Sequence, residues 1–436
     1  MTGIEIGLLS IVFLLIAIYI GLHISISLIL VSYVCVILLR GPDIAGRFVS
    51  AAANDVLNEH LFGVVPLFIL MGLLVSVSGI GRDLFDAIQW IFRRFLGGLG
   101  VATVAANAVF AAVTGISIAS ATVFTRVAVP EMVRHGYSKQ FSVGIVAGSS
   151  VLGVMIPPSL LLIVYAVIAE ESIGRLFLAG LLPGLLMAAS FCVLIIGVAI
   201  FRPHHVGGDV KPDQSQNDLT LVGFVVKLAP TVLLIVLVLG GIYSGLFTPT
   251  EAGAVGAAGA LVIAVAKRSL SLKDFINTLK DAGQISVSVL FLILAANLYS
   301  RMLAMSGMPT SFAESIVGLE LGPVWFLIAY LGLVILMGMI LDSISILLIL
   351  LPVVLPIAAG FEMDLIWFGI ITVVAVEIGL VTPPFGLSIF AVKAALLDHD
   401  ISLRDIFVGA MPFVLCMMAV LFLLVMFPAI STVLVY

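Results

Sequence analysis

Two pairs of adjacent prolines interrupt long apolar stretches of this sequence. They are Pro157-Pro158 and Pro383-Pro384, and a glycine stands four residues before each pair, at Gly153 and Gly379. Because proline lacks a backbone N–H and clashes with the preceding turn, each pair should unwind a helix and free carbonyl oxygens. The carbonyls, together with the negative end of a half-helix, predict a cation site, whereas the next half-helix would favour an anion. The alternative is that each pair simply kinks its helix.

Hydroxyl and small side chains are concentrated between Thr114 and Thr122. Ser117 and Ser120 in this stretch offer hard oxygen donors that suit a small alkali cation, and the small residues around them allow close packing. The sequence leaves open the alternative that these serines only satisfy neighbouring backbone carbonyls.

Three ionisable side chains lie within apolar stretches, where a charge is costly and therefore suggests a functional role. Asp342, followed by Ser343 and Ser345, is the first and strongest candidate. Arg126 either attracts a substrate carboxylate or extends toward the inner membrane surface, and the sequence favours the second interpretation. Glu377 is equally well explained as the partner of a buried donor or as part of a cation site.

Several common sites are absent from the sequence. It contains no glycine-rich loop followed by Lys and Ser or Thr, so ATP hydrolysis by that route is excluded. The three cysteines, Cys35, Cys192 and Cys416, lack metal-type spacing and are predicted to be core residues. The histidines lie near loops and are predicted to be solvated; they are His23, His60, His135, His204, His205 and His399. No cofactor is expected.

The composition identifies the fold class. Of 436 residues, 62% are hydrophobic and 10% are charged, with a mean hydropathy of +1.33. A soluble domain has about 25% charged residues, so we predict an all-α polytopic membrane protein. Since a membrane span needs about 20 apolar residues, the apolar stretches predict ten spans, at 5–22, 24–40, 61–80, 143–169, 176–201, 219–244, 252–266, 283–304, 363–393 and 406–432.

Two more apolar segments, 100–134 and 324–360, are interrupted by polar and small residues. We predict that each forms a re-entrant helical hairpin, since irregular backbone inside a membrane must be buried in protein or line a cavity. If Met1 faces outward, fourteen of the 19 Lys and Arg residues then lie in inside loops, four lie outside, and Arg126 lies within a hairpin. This distribution satisfies the positive-inside rule.

The two halves of the chain repeat each other. Leu67-Phe68, Ser117 and Gly153 to Pro158 recur as Leu290-Phe291, Ser343 and Gly379 to Pro384, at offsets of 223 to 226 residues. We predict a first repeat at 1–201, a cytoplasmic linker at 202–218 and a second repeat at 219–436. Because each repeat holds five spans and one hairpin, the second should be inverted, as in many secondary transporters.

The segment Thr248-Pro249-Thr250-Glu251 predicts a helix start in an outer loop. We expect Thr250 to be the N-cap residue and Glu251 to lie in the first turn, where a negative charge is favourable.

The motifs together resemble a known family, the large membrane subunit of tripartite ATP-independent periplasmic (TRAP) transporters. The resemblance covers essentially the whole chain. It rests on Pro66 to Gly72, Gly115 to Ser120, Gly153 to Ser159, Gly245 to Ala252, and Glu377 to Gly386. It implies an elevator-type, ion-transporter-like fold that imports organic acids with sodium in a bacterial inner membrane. It also implies two partners, a small four-helix membrane subunit and a periplasmic solute-binding protein.

The same resemblance implies roles for particular residues. One sodium site would use Ser117, Ser120, Gly153, Ile156 and Pro157, and a second would use Gly338, Gly379, Thr382 and Phe385. The residues near the substrate would be Asp342, Thr122 and Ser159, with Arg126 as a further candidate. Sodium would be the coupling ion.

Other functions are compatible with parts of this pattern. The main alternative is a sodium- or proton-coupled dicarboxylate symporter that works alone, without a binding protein. An intramembrane enzyme should combine a nucleophile with a base or two carboxylates, and Asp342 has no evident partner of that kind. A channel should show a ring-forming filter rather than two related hairpins.

Overall fold

The computed structural model describes residues 2–58, 63–207, 219–311, 315, 322–396 and 400–436. These residues form helices joined by short connections, and the one β-bridge recorded among them joins Tyr137 to Val206. Most of the linker, including Lys211, lies outside the described residues, as do His60 and His399. The protein is all-helical throughout the described ranges.

The described residues of the first half form ten α-helices, which include two pairs bent at a short break. Their bounds are Gly3–Tyr19, Ile24–Arg40, Pro42–Asn58, Val64–Val77, Ile80–Phe92, Gly98–Thr114, Ser117–Arg134, Lys139–Met155, Leu160–Ala169 and Ile173–Phe201.

The second half follows a similar order over its described residues. Its helices are Leu221–Tyr243, Pro249–Ala266, Leu272–Ser306, Pro323–Gly338, Ser343–Gly360, Leu365–Val381, Leu387–Ala395, Leu403–Met426 and Ala429–Thr432. A stretch of π-helix, Val236–Gly240, lies within the first of them.

Each half contains one helical hairpin and one broken helix. Hairpin 1 is Gly98–Thr114 with Ser117–Arg134, and hairpin 2 is Pro323–Gly338 with Ser343–Gly360. Broken helix 1 is Lys139–Met155 with Leu160–Ala169, bent by 41°. Broken helix 2 is Leu365–Val381 with Leu387–Ala395. The Pro157-Pro158 and Pro383-Pro384 peptide bonds are both cis, and each lies in the break of its helix.

The hairpins and broken helices pack against each other in a reciprocal pattern. Within each half, the first limb of the hairpin contacts the first limb of its own broken helix. Between the halves, the second limb of hairpin 1 contacts the second limb of broken helix 2, and the second limb of hairpin 2 contacts that of broken helix 1. Each half therefore contributes helices that pack against the hairpin and the broken helix of the other half.

By length and hydropathy alone, fewer of the described helices qualify as candidate membrane spans than the ten spans predicted from the sequence. Six described helices are long and apolar enough to span a membrane, and counting each bent pair as one span raises the number to eight. The predicted spans at 5–22 and 24–40 form helices of 17 residues each, which rise only about 26 Å against a hydrocarbon core of about 30 Å. Conversely, Ser343–Gly360 in hairpin 2 is long enough to cross.

Two further predictions need correction. The inner loop after the span at 61–80 contains a helix, Ile80–Phe92, which lies at 63° to the helix before it. The cap of Pro249–Ala266 is Thr248 rather than Thr250, because its hydroxyl accepts from the Glu251 N–H while the Glu251 carboxylate accepts from the Thr248 N–H. Proline at the first helical position places the cap one residue before it.

An ionic cluster joins the two halves at the predicted inner side. Lys267 donates to Asp83, and Lys227 donates to Asp86 at 2.5 Å. All four side chains are about three-quarters buried. The cluster therefore fixes Ile80–Phe92 to the first two helices of the second half.

Candidate functional site

The turn of hairpin 1 lies directly on the break of helix 1. A Cβ built on Gly153 would be 3.0 Å from the Ser117 Cα, and one built on Gly115 would be 2.4 Å from the Pro158 carbonyl oxygen. Gly115, at φ +64°, also accepts a hydrogen bond from the Leu160 N–H at 3.2 Å. Backbone meets backbone here, so glycine is needed on both sides of the contact.

A buried chain of hydrogen bonds links the two limbs of hairpin 1 to each other and to broken helix 1. Ser120 donates to the Asn107 amide oxygen at 2.5 Å, and the Asn107 amide nitrogen donates to Ser149 at 2.6 Å. Ser149 in turn donates to the Ile145 carbonyl. All three polar side chains are fully buried. Since the Ser120 proton points to Asn107, lone pairs on its oxygen remain available to another group.

Hairpin 2 meets broken helix 2 through a comparable contact. A Cβ built on Gly379 would be 2.6 Å from both the Gly338 Cα and the Ile335 carbonyl oxygen. Thr382 ends the first limb of the broken helix, and its hydroxyl donates to the Ile378 carbonyl at 2.6 Å. The Gly338–Gly379 pair predicted from sequence is therefore brought together.

The polar support is also repeated. Tyr330 in the first limb of hairpin 2 lies 3.0 Å from the Thr372 hydroxyl, which donates to the Phe368 carbonyl. The spacing of 42 residues between these partners equals that between Asn107 and Ser149. In both halves a hydroxyl on the broken helix bonds to its own helix and accepts from the hairpin.

The two breaks differ in exposure. Around the first break Ile156 is 5% exposed and Ser159 is fully buried. In the second break Pro383 and Pro384 are exposed, and Phe385 is 53% exposed. The structure thus has one closed break and one open break.

The oxygen atoms at these contacts suit a small hard cation. Pro157 and Pro383 cannot donate to the carbonyls of Gly153 and Gly379, four residues earlier in each helix. The Gly379 carbonyl instead accepts from the Thr382 N–H at 3.0 Å and keeps one lone pair for another group. Hydroxyls accompany the breaks, from Ser117 and Ser120 in the first half and from Thr382 in the second. Neutral carbonyl and hydroxyl oxygens are the ligands expected for a weakly held alkali ion. The residues present therefore fit sodium.

Asp342 lies at the turn of hairpin 2 and caps the helix that follows. One carboxylate oxygen accepts from the Ser345 N–H at 3.1 Å, and the other accepts from the Ser345 hydroxyl. The Asp342 side chain is nonetheless exposed, and it lines a cavity of about 300 Å³ together with His23 and Ser288. The carboxylate thus both fixes a helix start and faces a space that a small solute can occupy.

The other predicted substrate residues lie in different surroundings. Thr122 and Arg126 follow Ile118 at intervals of four along hairpin 1, on the more exposed side of that helix. The Thr122 hydroxyl donates to the Ile118 carbonyl at 2.8 Å. Ser159 is buried and caps Leu160–Ala169 by accepting from the Leu162 N–H. No described contact brings these three residues to Asp342.

Sequence reasoning missed several polar residues that take part in these contacts. Asn107 is the one carboxamide in an otherwise small and apolar helix, and that isolation was a usable signal. Tyr330 and Thr372 resemble ordinary core residues. His23, predicted to be solvated, lines the cavity beside Asp342 and lies 3.2 Å from the Ser25 hydroxyl.

The sequence matches a family model over residues 11–430, described as tripartite ATP-independent periplasmic transporter, DctM component. A protein from Pseudomonas aeruginosa named C4-dicarboxylate TRAP transporter large permease protein DctM is 34% identical over 91% of this chain and 90% of its own length. A protein from Oleidesulfovibrio alaskensis named isethionate TRAP transporter permease protein DctMQ is 31% identical over 88% of this chain, which covers 59% of that relative.

A solved structure shares the fold at low sequence identity. The YdaH transporter of Alcanivorax borkumensis superposes with a TM-score of 0.58 and 12% identity, covering 85% of this chain and 87% of that one. This similarity concerns the fold alone. The family match and the related permeases instead account for nearly the full length of the chain, so the protein is a multi-pass membrane permease, not an enzyme, and belongs to the DctM family of TRAP transporter large subunits.

Proposed function

We propose that this permease imports a small organic acid across the bacterial inner membrane, driven by sodium, through an elevator movement. The observation that carries this proposal is the pair of glycine contacts, Ser117 with Gly153 and Gly338 with Gly379, each at a helix break. Two equivalent oxygen-rich breaks, each beside a hairpin turn, are what a symmetric cation-coupled carrier requires.

The reciprocal packing supports a division into inverted repeats, at 1–201 and 219–436. In this arrangement both hairpins are re-entrant and ten further segments cross the membrane. The hairpins and broken helices form a body that moves as a unit, because their closest contacts are between backbones. The helices joined by the Asp83–Lys267 ion pair form a support against which that body moves.

We assign the first sodium site to Ser117, Ser120 and the carbonyl groups of Gly153, Ile156 and Pro157. The second site would use the backbone of Gly338, Gly379 and Phe385 with Thr382. These residues supply neutral oxygens, so the positive charge at each break would come from the bound sodium ion.

The substrate would bind between the hairpin turns. We assign Asp342, Thr122 and Ser159 to this region, with Arg126 as a further candidate. Ser159 caps Leu160–Ala169, and Arg126 lies on the exposed side of hairpin 1. A C4-dicarboxylate or a sugar acid is the substrate class we propose, and the dicarboxylate relative supports the first.

Two partners are proposed on the same grounds. The family description is of a tripartite transporter, so we infer a periplasmic solute-binding protein and a small four-helix membrane subunit. The relative named DctMQ is longer than this chain, which covers 59% of it. We infer that the remainder of that relative corresponds to the small subunit.

Uptake in proteoliposomes tests the proposal. The chain would be reconstituted with the proteins encoded beside its gene, and radiolabelled dicarboxylates and sugar acids would be supplied with sodium or choline outside. We expect uptake only with sodium and the soluble binding protein. Uptake by this chain alone would instead establish the alternative, a self-sufficient symporter, and uptake indifferent to sodium would refute sodium coupling.

Cysteine labelling tests the topology. In a variant with the three native cysteines replaced by alanine, single cysteines at Arg82, Lys273 and Arg404 should react only from the cytoplasmic side. Arg175→Cys should react only from outside and, like Lys273→Cys, would change sides if hairpin 1 crossed the membrane. All four side chains are exposed. Since a crossing hairpin would reverse the side of every later loop, outside labelling at Lys273→Cys would refute hairpin 1, and a change only at Arg404→Cys would refute hairpin 2.

A further inference from the structure

Glu377 is a buried carboxylate without a hydrogen-bond partner. It lies in the first limb of broken helix 2 and is 0% exposed. Neither of its oxygens meets a donor among the described residues. In the described part of the chain it is also the one acidic or basic side chain that is classed as buried. The explanation of Glu377 as partner to a buried donor therefore finds no support in these residues.

A carboxyl group in this position is stable only if it is protonated or if a positive charge lies nearby. An isolated ionised group is strongly disfavoured away from water, and removal of one member of a buried ion pair is correspondingly costly. Glu377 precedes Gly379 by two residues, a rise of about 3 Å along the helix axis. The carbonyl of the adjacent Val376 lies 2.9 Å from a Cβ built on Gly338. Glu377 therefore lies in the turn that contributes Gly379, but about 200° around the helix axis from it, so its charge would act across the helix rather than by contact.

The first half has no equivalent charge. The offset that relates Gly153 to Gly379 relates Val151 to Glu377, and Val151 is fully buried. The first break therefore combines neutral oxygens with an apolar neighbour, whereas the second combines them with a carboxylate.

We propose that Glu377 is the counter-charge of the second cation site, acting through space on a cation held by Gly338, Gly379 and Thr382. This role rests on the sodium-coupled function proposed above and makes Glu377 a positioning residue rather than a ligand. A single charge within about 6–10 Å of a cation, up to the diameter of one helix, at an effective dielectric constant of about 20, corresponds to an affinity change of about tenfold to hundredfold.

Sodium binding by the purified protein tests this role without transport. Thermal unfolding would be followed in detergent as sodium replaces choline at constant ionic strength, and ²²Na binding would be measured in parallel. For Glu377→Gln and Glu377→Met we expect the sodium concentration for half-maximal stabilisation of one site to rise at least about tenfold. Without sodium, both variants should be about as stable as the native protein or more so, since a buried carboxyl group without a hydrogen-bond partner has been removed.

Two further variants complete the test. Glu377→Asp keeps the charge and should retain most of the sodium response. Ser388→Ala, which removes a buried hydroxyl without a partner from the same broken helix, is the matched control and should leave the response unchanged.

The outcomes are distinguishable. Native sodium affinity in Glu377→Gln would overturn the role of Glu377, as would failure of both neutral variants to fold. If the native protein itself shows no sodium-specific stabilisation and no ²²Na binding, sodium coupling fails and the counter-charge role fails with it. If Glu377→Gln and Glu377→Met alone weaken the sodium response, both sodium coupling and the counter-charge role of Glu377 are supported.

Discussion

Asp342 combines two roles that substitution can separate. Its carboxylate caps Ser343–Gly360 through the Ser345 backbone N–H at 3.1 Å and the Ser345 hydroxyl. It also faces the cavity of about 300 Å³ that His23 and Ser288 line. Asparagine caps helices about as well as aspartate does, whereas alanine does not. Asp342→Asn therefore removes the charge alone, and Asp342→Ala removes both the charge and the cap.

The expected magnitudes differ enough to be measured. Loss of the cap in Asp342→Ala should lower the free energy of unfolding by about 1 kcal/mol, and Asp342→Asn should change it by much less. A hydrogen bond to a charged group contributes about 1.5–3 kcal/mol. If the carboxylate contacts substrate or its bound cation during transport, both variants should therefore lose at least about tenfold in uptake.

The assay is sodium-driven uptake in proteoliposomes, normalised to inserted protein, with thermal unfolding of the same preparations. Ser345→Ala is the control, since it keeps the charge of Asp342 and the backbone donor and removes only the hydroxyl contact. Uptake at the native rate in Asp342→Asn, combined with a defect in Asp342→Ala, would show that Asp342 only starts a helix and would refute its role in transport.

Three further predictions concern contacts that hold the site together. Gly379→Ala places a Cβ 2.6 Å from backbone atoms. It should lower the free energy of unfolding by about 1–3 kcal/mol through overpacking and weaken sodium-dependent stabilisation. Gly332→Ala, with no atom within 4 Å of its built Cβ, should behave as the native protein. Asn107→Ala removes two buried bonds between helices, each worth about 0.6 kcal/mol in a membrane protein, so thermal unfolding should show a loss of about 1 kcal/mol; an unchanged unfolding temperature would contradict this network. Asp83→Lys should destabilise the purified protein by repelling Lys267. The double variant Asp83→Lys with Lys267→Asp should recover part of the lost stability. No recovery in the double variant would mean that the ion pair contributes little.

The sequence was informative where backbone chemistry is decisive. Adjacent prolines cannot continue a helix, so the breaks after Met155 and Val381 follow from residue type alone. Gly153 and Gly379, four residues before the prolines, each have a close backbone neighbour that leaves no room for a side chain. Such local constraints do not depend on the rest of the fold.

Other features depend on neighbours that a single segment does not reveal. Ile80–Phe92 carries Arg82, Asp83 and Asp86 and therefore resembles a loop until Lys227 and Lys267 of the second half are placed beside it. His23 resembles a solvated loop residue until hairpin 2 brings Asp342 into the same cavity. Asn107 was identifiable as unusual, but its partners on two other helices were not.

The same contacts limit how the molecule can move. Side chains that separate two helices can change rotamer and absorb a displacement, but Gly338 and Gly379 have none, so a shift between them must move backbone against backbone. We therefore infer that each hairpin turn travels with its own broken helix. A change in access must then arise at surfaces lined by side chains, such as the cavity between Asp342 and His23.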